Sequence, residues 1–159
     1  MNAEINKNNA ENKPESKSEN KVSSKAENKI ENEEELLLAY NSGVKFMQAK
    51  DYNKALTVFQ DLCTRFPNHI FFKALAGCLQ EKKEYLSAIL SYKTAYLLAP
   101  ASNQDCLFFS GVCYYKHGQF QKAKTELEEF LILNVDNEYQ VNRAKIYIES
   151  ANKKLQPEK

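Results

Sequence analysis

The stretch Asp51-Tyr52-Asn53-Lys54-Ala55 decides the fold, because two variants of it follow at nearly constant intervals. These variants are Glu84-Tyr85-Leu86-Ser87-Ala88 and Gln119-Phe120-Gln121-Lys122-Ala123. In each copy an aromatic residue stands three positions before an alanine, and the alanines are 33 and then 35 residues apart. A period of this length is typical of chains built from stacked helical repeats.

Other positions keep the same period. A large apolar residue follows each alanine after four positions, at Phe59, Tyr92 and Leu127. Proline follows the first two alanines after twelve positions, at Pro67 and Pro100, and is missing from the third repeat. The pattern resembles the tetratricopeptide repeat of about 34 residues, a pair of helices whose second member carries the alanine.

The glycines Gly43, Gly77 and Gly111 suggest a second register, because they are spaced by 34 residues each. In the second repeat this register conflicts by one residue with that of the alanines. The glycine register would turn Lys73 and Gln80 inward, whereas the alanine register gives the inward face only apolar residues. We therefore follow the alanine register and expect Ala76 to fill the small-residue position where two helices approach closely.

From this register we predict an all-α fold, in which three tetratricopeptide repeats form a right-handed helical solenoid closed by a C-terminal capping helix. The repeats are expected over about 36–68, 69–103 and 104–136. The first helices are predicted over 36–49, 69–82 and 104–117, and the second helices over 52–65, 85–98 and 120–133. The capping helix is predicted over 138–155, from the apolar stripe Val141, Ala144, Ile148, Ala151 and Leu155.

The composition changes near residue 36, which divides a leader, residues 1–35, from the repeat domain, residues 36–155. The leader holds nine Glu, six Lys, eight Asn and no aromatic residue, with Glu-Asn-Lys at 11–13, 19–21 and 27–29. Such a segment buries little apolar surface, so we expect it to be mostly disordered. Its lysines recur every four positions among glutamates, which also permits transient helix.

Charge and composition exclude several classes of function. With 22 Lys+Arg against 21 Asp+Glu, the net charge of +1 offers no strong field for nucleic acid. Four glycines in the chain do not supply a phosphate-binding loop. The longest apolar runs are far shorter than the roughly 20 residues of a membrane span, and the start of the chain lacks a secretory signal. We expect a cytoplasmic protein with no stable membrane insertion.

The search for catalytic chemistry finds no constellation. His69 and His117 have no paired cysteine or carboxylate at ligand spacing. The four cysteines, Cys63, Cys78, Cys106 and Cys113, form no C-x-x-C motif, and we interpret them as small buried apolar residues. We therefore predict that the protein is not an enzyme and uses no metal or cofactor.

A groove lined by the first helices is the expected binding surface of such a stack. In the first repeat, inward packing leaves Tyr40, Val44 and Met47 on an adjacent face. The third repeat presents Phe108, Val112 and Tyr115 with the same spacing, and Lys73 and Glu81 lie between the two sets. We predict that these residues bind an extended apolar segment. The alternative is that they complete the core or contact the leader.

Several stretches resemble a particular group of tetratricopeptide proteins. They are Val58 to Cys63, Ala74 to Gln80, Tyr85 to Tyr92, and Gly111-Val112-Cys113. The chain from about 36 to 152 is similar to the class II chaperones of bacterial type III secretion, as judged from repeat order and cysteine positions. Ala76-Gly77-Cys78 stands where that family usually has Gly-Ala-Cys.

The resemblance implies a function. Such chaperones hold hydrophobic translocator proteins in the bacterial cytosol before export, and they bind a short extended client segment in the groove, here at Tyr40, Val44 and Met47. Some also partner a transcriptional regulator. Many form homodimers through an apolar helix before the first repeat, where this chain has Glu-Asn-Lys repeats, so homodimer formation stays open. The alternative function is a generic tetratricopeptide adaptor that joins proteins in an assembly.

Overall fold

The computed structural model describes residues 19–133 and 136–156, with side chains from Glu33 onward. Within these ranges the chain forms seven α-helices and no strand. The helices are α1 Glu19–Gln48, α2 Tyr52–Arg65, α3 His69–Glu81, α4 Tyr85–Leu98, α5 Asp105–Lys116, α6 Phe120–Ile132 and α7 Glu138–Leu155. A short 3₁₀ turn, Pro100–Ser102, joins α4 to α5. The predicted all-α solenoid is confirmed, and every helix after α1 begins within one residue of the predicted position.

The first helix differs from the prediction. It begins at Glu19, whereas the sequence predicts a helix from residue 36 and a mostly disordered leader before it. A lysine every fourth position among glutamates favours helix, and a helix that already exists is extended more easily than a new one is nucleated. The structure is therefore helical over 19–35, and residues 1–18 of the predicted leader lie outside the described residues.

The chain divides into two units between Glu35 and Leu36, and the packing that follows is that of the second unit. Each helix from α2 onward packs against the next one in the chain. The repeated alanines, Ala55, Ala88 and Ala123, are fully buried in the second helices of the three pairs. Small residues at these positions allow neighbouring helix backbones to approach closely, as the alanine register requires.

Two glycines of the first helices lie directly against large side chains of the second helices. A Cβ atom added at Gly43 would lie 2.6 Å from Cε1 of the Phe59 ring, and one added at Gly111 would lie 2.6 Å from Cγ of Leu127. Phe59 and Leu127 are themselves buried, so neither can move aside freely. Glycine is required at both positions by the closeness of the helices.

Gly77 has no such role. A Cβ atom added there would meet nothing nearer than the Tyr92 hydroxyl, at 3.9 Å. The preceding residue, Ala76, is fully buried instead. The expected register of the second repeat, with Ala76 in the small-residue position, is therefore confirmed.

The turn inside each helix pair has the same backbone structure. Lys50, Lys83 and Gly118 have φ angles of 59°, 63° and 81°, in the left-handed region. The residue that follows each of them donates its N–H to a carbonyl five positions back, at 2.9 Å in all three turns. This arrangement is the Schellman motif, which satisfies carbonyls at the end of the first helix without any side-chain bond.

The helix α7 caps the stack as predicted. Ala144 and Ala151 are fully buried, and Val141 and Ile148 pack half-buried against the cluster that contains Phe130. Leu155, the last residue of the predicted apolar stripe, is instead 42% exposed. No helix in the described part of the chain combines the length and apolar character needed to cross a membrane.

Two buried polar groups join helices, one within the second repeat and one between the second and third repeats. The amide of Asn103 lies 2.9 Å from the Ala99 carbonyl and 2.9 Å from Nδ1 of His69, which ties the end of α4 to the start of α3. Glu126 on α6 accepts a hydrogen bond of 2.7 Å from the Ser110 hydroxyl and forms an ion pair with a lysine of α4. Satisfied buried polar groups fix the relative position of the helices that they connect.

Replacing two glycines by alanine, one at a time, distinguishes the effect of close helix packing on stability from the effect of helix propensity. We expect Gly111→Ala to lower the free energy of unfolding by about 1–3 kcal/mol, because the added methyl group overlaps Leu127. The methyl group added in Gly77→Ala meets no atom nearer than 3.9 Å, so this variant should instead raise the free energy of unfolding by about 0.5–1 kcal/mol. Urea unfolding followed by circular dichroism measures both variants. Equal changes in the free energy of unfolding for the two variants would contradict the alanine register.

Removing residues 1–31 tests how far the segment before the repeats supports the fold. The described side chains that pack against the core begin at Leu36, and all of them remain in the truncated chain. We therefore expect the free energy of unfolding to fall by less than about 0.5 kcal/mol. A large drop in thermal midpoint would show that the removed segment docks on the repeats.

Candidate peptide-binding groove

The helices α1, α3, α5 and α7 form one continuous face, which we call the groove. Contacts between successive members define it: the Tyr40 ring of α1 lies 5.9 Å from the Phe71 ring of α3, and Lys73 of α3 reaches Asp105 of α5. A cavity of about 210 Å³ is lined by residues of α3, α5 and α7. The first helices of the repeats present one surface, as the repeat pattern predicts, and the capping helix extends it.

The α1 end of the groove is apolar and half-exposed. Tyr40, Val44 and Met47 are each half-buried and pack against the core with part of their surface. The Tyr40 ring lies 6.0 Å from the ring of Phe59, which holds it in place. The structure thus brings the three predicted residues together, with apolar surface left free to contact a ligand.

The middle of the groove carries less free charge than the sequence suggests. Lys73 Nζ lies 2.8 Å from Oδ1 and 2.6 Å from Oδ2 of Asp105, so its charge is neutralised across α3 and α5. Glu81, the other charged residue expected there, is exposed. The ion pair is half-buried and joins two first helices, so it fixes their relative position more than it offers a free cation.

The expectation that packing leaves the third-repeat residues Phe108 and Val112 exposed is wrong. Phe108 and Val112 are 5% and 6% exposed and belong to the core cluster shared with α6 and α7. The Phe108 ring lies 5.6 Å from Phe130 and 5.3 Å from Phe109. The capping helix covers this part of α5, and both side chains also line the 210 Å³ cavity. Their contact with a ligand stays a prediction.

Tyr115 is half-buried and bound to α7. Its hydroxyl forms a hydrogen bond with the Ser150 hydroxyl, and its ring lies 5.0 Å from the Tyr147 ring and 5.3 Å from the Phe120 ring. A second cavity, of about 320 Å³, lies beside it between α5 and α7. Tyr115 therefore forms a wall at the end of the groove, and its role in binding also stays a prediction.

Sequence reasoning missed three residues of α7. Tyr139, Arg143 and Tyr147 follow one another at four-residue intervals, a spacing that places them on one face of the helix. The Arg143 guanidinium lies 5.6 Å from the Tyr139 ring and 5.5 Å from the Tyr147 ring. The apolar stripe of the same helix identifies only its packed face, so the sequence alone gives no role to the neighbouring face that carries these three residues.

The four cysteines are buried and unpaired, as the sequence suggests. Burial raises the pKa of the Cys63 thiol to about 11 and the pKa values of Cys106 and Cys113 to about 12. The Cys78 thiol donates to the Tyr52 carbonyl at 3.1 Å. The thiols therefore stay protonated near neutral pH and act as packing groups. The described residues contain no group of three side chains suited to hold a metal ion.

Comparison with known proteins agrees with this architecture. The family model of the tetratricopeptide repeat matches residues 39–69 and 105–132. No curated protein sequence is significantly similar to the chain. The two matched segments cover most of the first helix pair and of the third, which supports the tetratricopeptide fold at both ends of the stack.

Several solved structures share the fold. The Yersinia enterocolitica type III secretion chaperone SycD, in complex with a peptide of the translocator YopD, has a TM-score of 0.71 and 23% identity over 77% of this chain and 96% of that one. PcrH from Pseudomonas aeruginosa has a TM-score of 0.67 and 23% identity over 76% and 93%. The Arabidopsis OM64 TPR domain has a TM-score of 0.65 and 17% identity over 76% and 96%. The predicted resemblance to translocator chaperones is confirmed in the fold.

Phe108→Ala measures how much the third-repeat residue contributes to the core. Because Phe108 is buried against Phe130 and Phe109, we expect the free energy of unfolding to fall by about 3–5 kcal/mol. Tyr139→Ala removes an aromatic ring that is 67% exposed and should cost no more than about 0.5 kcal/mol. Chemical denaturation of both variants provides the comparison. Similar small losses would mean that Phe108 is available to a ligand after all.

Proposed function

We propose that this protein is a cytoplasmic bacterial chaperone for type III secretion translocator proteins. It binds an extended apolar segment of the client in the groove and keeps the client soluble before export. The observation that carries the proposal is the half-exposed apolar set Tyr40, Val44 and Met47, in a fold shared with SycD, a chaperone whose structure contains a translocator peptide.

The residues of α1 suit an extended apolar ligand for a physical reason. Their inner surfaces are fixed by the core, so little side-chain entropy is lost when a ligand covers the outer surfaces. An extended peptide presents side chains in alternation, so those on one side can contact the exposed parts of Tyr40, Val44 and Met47. Burial of apolar client surface then provides the binding free energy.

The proposed mechanism is binding without turnover. A client whose apolar segment is covered does not aggregate. Mass action keeps most of the client bound as long as the concentration of free chaperone exceeds the dissociation constant. Release falls to the secretion machinery. Homodimer formation stays open, and a transcriptional regulator as a second partner, which the resemblance implies for some members, stays a prediction.

The alternative is a tetratricopeptide adaptor that joins proteins in an assembly. The similarity of fold to the OM64 domain favours it, since that similarity is almost as high as to the secretion chaperones. The two functions differ in what the groove holds. A chaperone needs the apolar set of α1 for an aggregation-prone client, whereas an adaptor binds partners that are soluble without it.

The deciding experiment combines capture from the source cell with a solubility assay. We expect the wild type to capture one or two proteins with long apolar segments, each insoluble when expressed alone and soluble when co-expressed. Val44→Thr with Met47→Gln keeps side-chain size but makes the α1 end polar, so client affinity should fall about tenfold or more. Isothermal titration with the mapped client segment gives the affinity.

The matched control is Leu86→Thr with Leu90→Gln, which makes the same kind of change on α4. Both leucines are exposed, at 54% and 69%, and they lie outside the groove. This variant should keep both client affinity and the effect on solubility. Soluble folded partners that bind the wild type and the α1 variant equally would contradict the chaperone proposal and favour the adaptor.

A further inference from the structure

The end of the groove at α7 holds a positively charged group in a fixed orientation. Arg143 donates from Nη1 to the Tyr139 hydroxyl at 3.3 Å and from Nη2 to the Tyr147 hydroxyl at 3.1 Å. Its guanidinium also lies close to both rings. Arginine has five N–H donors, so these two bonds leave others free for a further acceptor. The tyrosines thus orient a cation whose hydrogen-bonding capacity is incompletely used.

No carboxylate of the described residues pairs with this cation. The lysines and arginines in ion pairs are Lys54, Arg65, Lys73, Lys82, Lys93, Lys124 and Lys153. Lys116, which lines the 210 Å³ cavity together with Arg143, is also outside these pairs and lies 5.9 Å above the Tyr85 ring. By contrast, Lys73 in the middle of the groove is neutralised by Asp105. Uncompensated positive charge in the groove is therefore concentrated between α5 and α7.

Apolar surface surrounds the same two cations. Arg143 and Tyr147 line both the 210 Å³ cavity and the 320 Å³ cavity, so they stand at the boundary between the two. Phe109 and Val112 contribute to the first cavity, and Ile146 contributes to the second. A ligand that fits this end needs an apolar side chain for a cavity and an acceptor for the guanidinium.

We propose that this end of the groove is a carboxylate subsite, in which Arg143 and Lys116 bind an acidic group of the client segment beside an apolar side chain. The inference rests on the proposed function and specifies the client chemistry. A carboxylate matches the planar fork of arginine and can accept two parallel hydrogen bonds from it. We assign this carboxylate to an Asp or Glu side chain within the segment; a carboxylate at a chain end is the alternative that the experiments below distinguish.

The position of the subsite gives the groove a direction. The α1 end is apolar, the middle holds the Lys73–Asp105 ion pair and the exposed carboxylate of Glu81, and the α7 end is cationic. A segment with its acidic group near one end binds in one orientation, because the reverse orientation leaves that carboxylate over Tyr40 and Val44. The subsite therefore selects among apolar segments that would otherwise fit equally well.

The first test is selection from a ribosome-displayed library of random peptides about twelve residues long. The C-terminus of each peptide is fused to the display spacer, so the only carboxylates that the peptide presents are those of Asp and Glu side chains. We expect the wild-type full chain to enrich Asp or Glu next to an apolar residue. Arg143→Gln should lose this acidic enrichment while it still selects apolar residues. The control Lys145→Gln, which removes an exposed cation of the same helix, should keep it.

The second test measures coupling. A selected peptide and its Glu→Gln or Asp→Asn version are titrated against the wild type and Arg143→Gln. Each single change should weaken binding about tenfold or more, and the two together should weaken it no further, because both remove the same bond. Arg143→Lys keeps the charge without the fork and should recover only part of the affinity. Additive losses would overturn the direct contact.

The source of the carboxylate is decided with synthetic peptides. A selected peptide that lacks its acidic side chain is compared with a free and with an amidated C-terminus. Recovery of affinity by the free C-terminus alone, lost again in Arg143→Gln, assigns the subsite to a chain end. Acidic enrichment that is the same in wild type and Arg143→Gln, or absent from wild type, overturns the subsite.

Failure of the subsite differs visibly from failure of the proposed function. If apolar enrichment depends on Val44 and Met47 but no acid is preferred, the groove function stands and the carboxylate subsite fails. If enriched peptides bind the Val44→Thr, Met47→Gln variant as well as the wild type, the proposed groove function fails. If no peptide is enriched, both are contradicted.

Discussion

The close contact between a first-helix glycine and a large second-helix side chain is the constraint on which the structure depends. Gly43 lies against Phe59, and Gly111 lies against Leu127, at distances that leave no room for a methyl group. These contacts set how closely the two helices of a pair approach and how they are rotated about their axes. Once the rotation is fixed, the residues that face the next pair and the residues that face the groove are fixed as well.

The groove follows from this packing. Because the inward positions of α1 are occupied by the helix contact, the next face of the same helix carries Tyr40, Val44 and Met47 with part of their apolar surface free. In α5 the corresponding face is covered by the capping helix, so Phe108 and Val112 become core residues there. The same repeat position is thus half-exposed at one end of the array and part of the core at the other.

Most of the fold was predictable from the sequence, since the alanine period and the apolar spacing report contacts within a repeat. The register of the second repeat was decided correctly from Lys73 and Gln80, because burying either without a partner is unfavourable. Contacts between helices far apart in sequence were not predictable in this way. The ion pair of Lys73 with Asp105 and the cover over Phe108 depend on how α3, α5 and α7 stack, and no short-range pattern encodes that stacking. The long α1 was missed because a polar sequence without an apolar stripe gives little periodic signal for helix.

The burial of all four thiols has a practical consequence for labelling. Each native cysteine is inside the helix packing, and the three with the most strongly raised pKa, Cys63, Cys106 and Cys113, carry almost no thiolate near neutral pH. Maleimide dyes react with exposed thiolates, so we expect the folded wild type to react with them very slowly. A single cysteine introduced in an exposed turn, such as at Lys83, would be the reactive thiol of the described chain. The native sequence therefore already provides the background for fluorescence studies of the groove, with no need to remove its own cysteines.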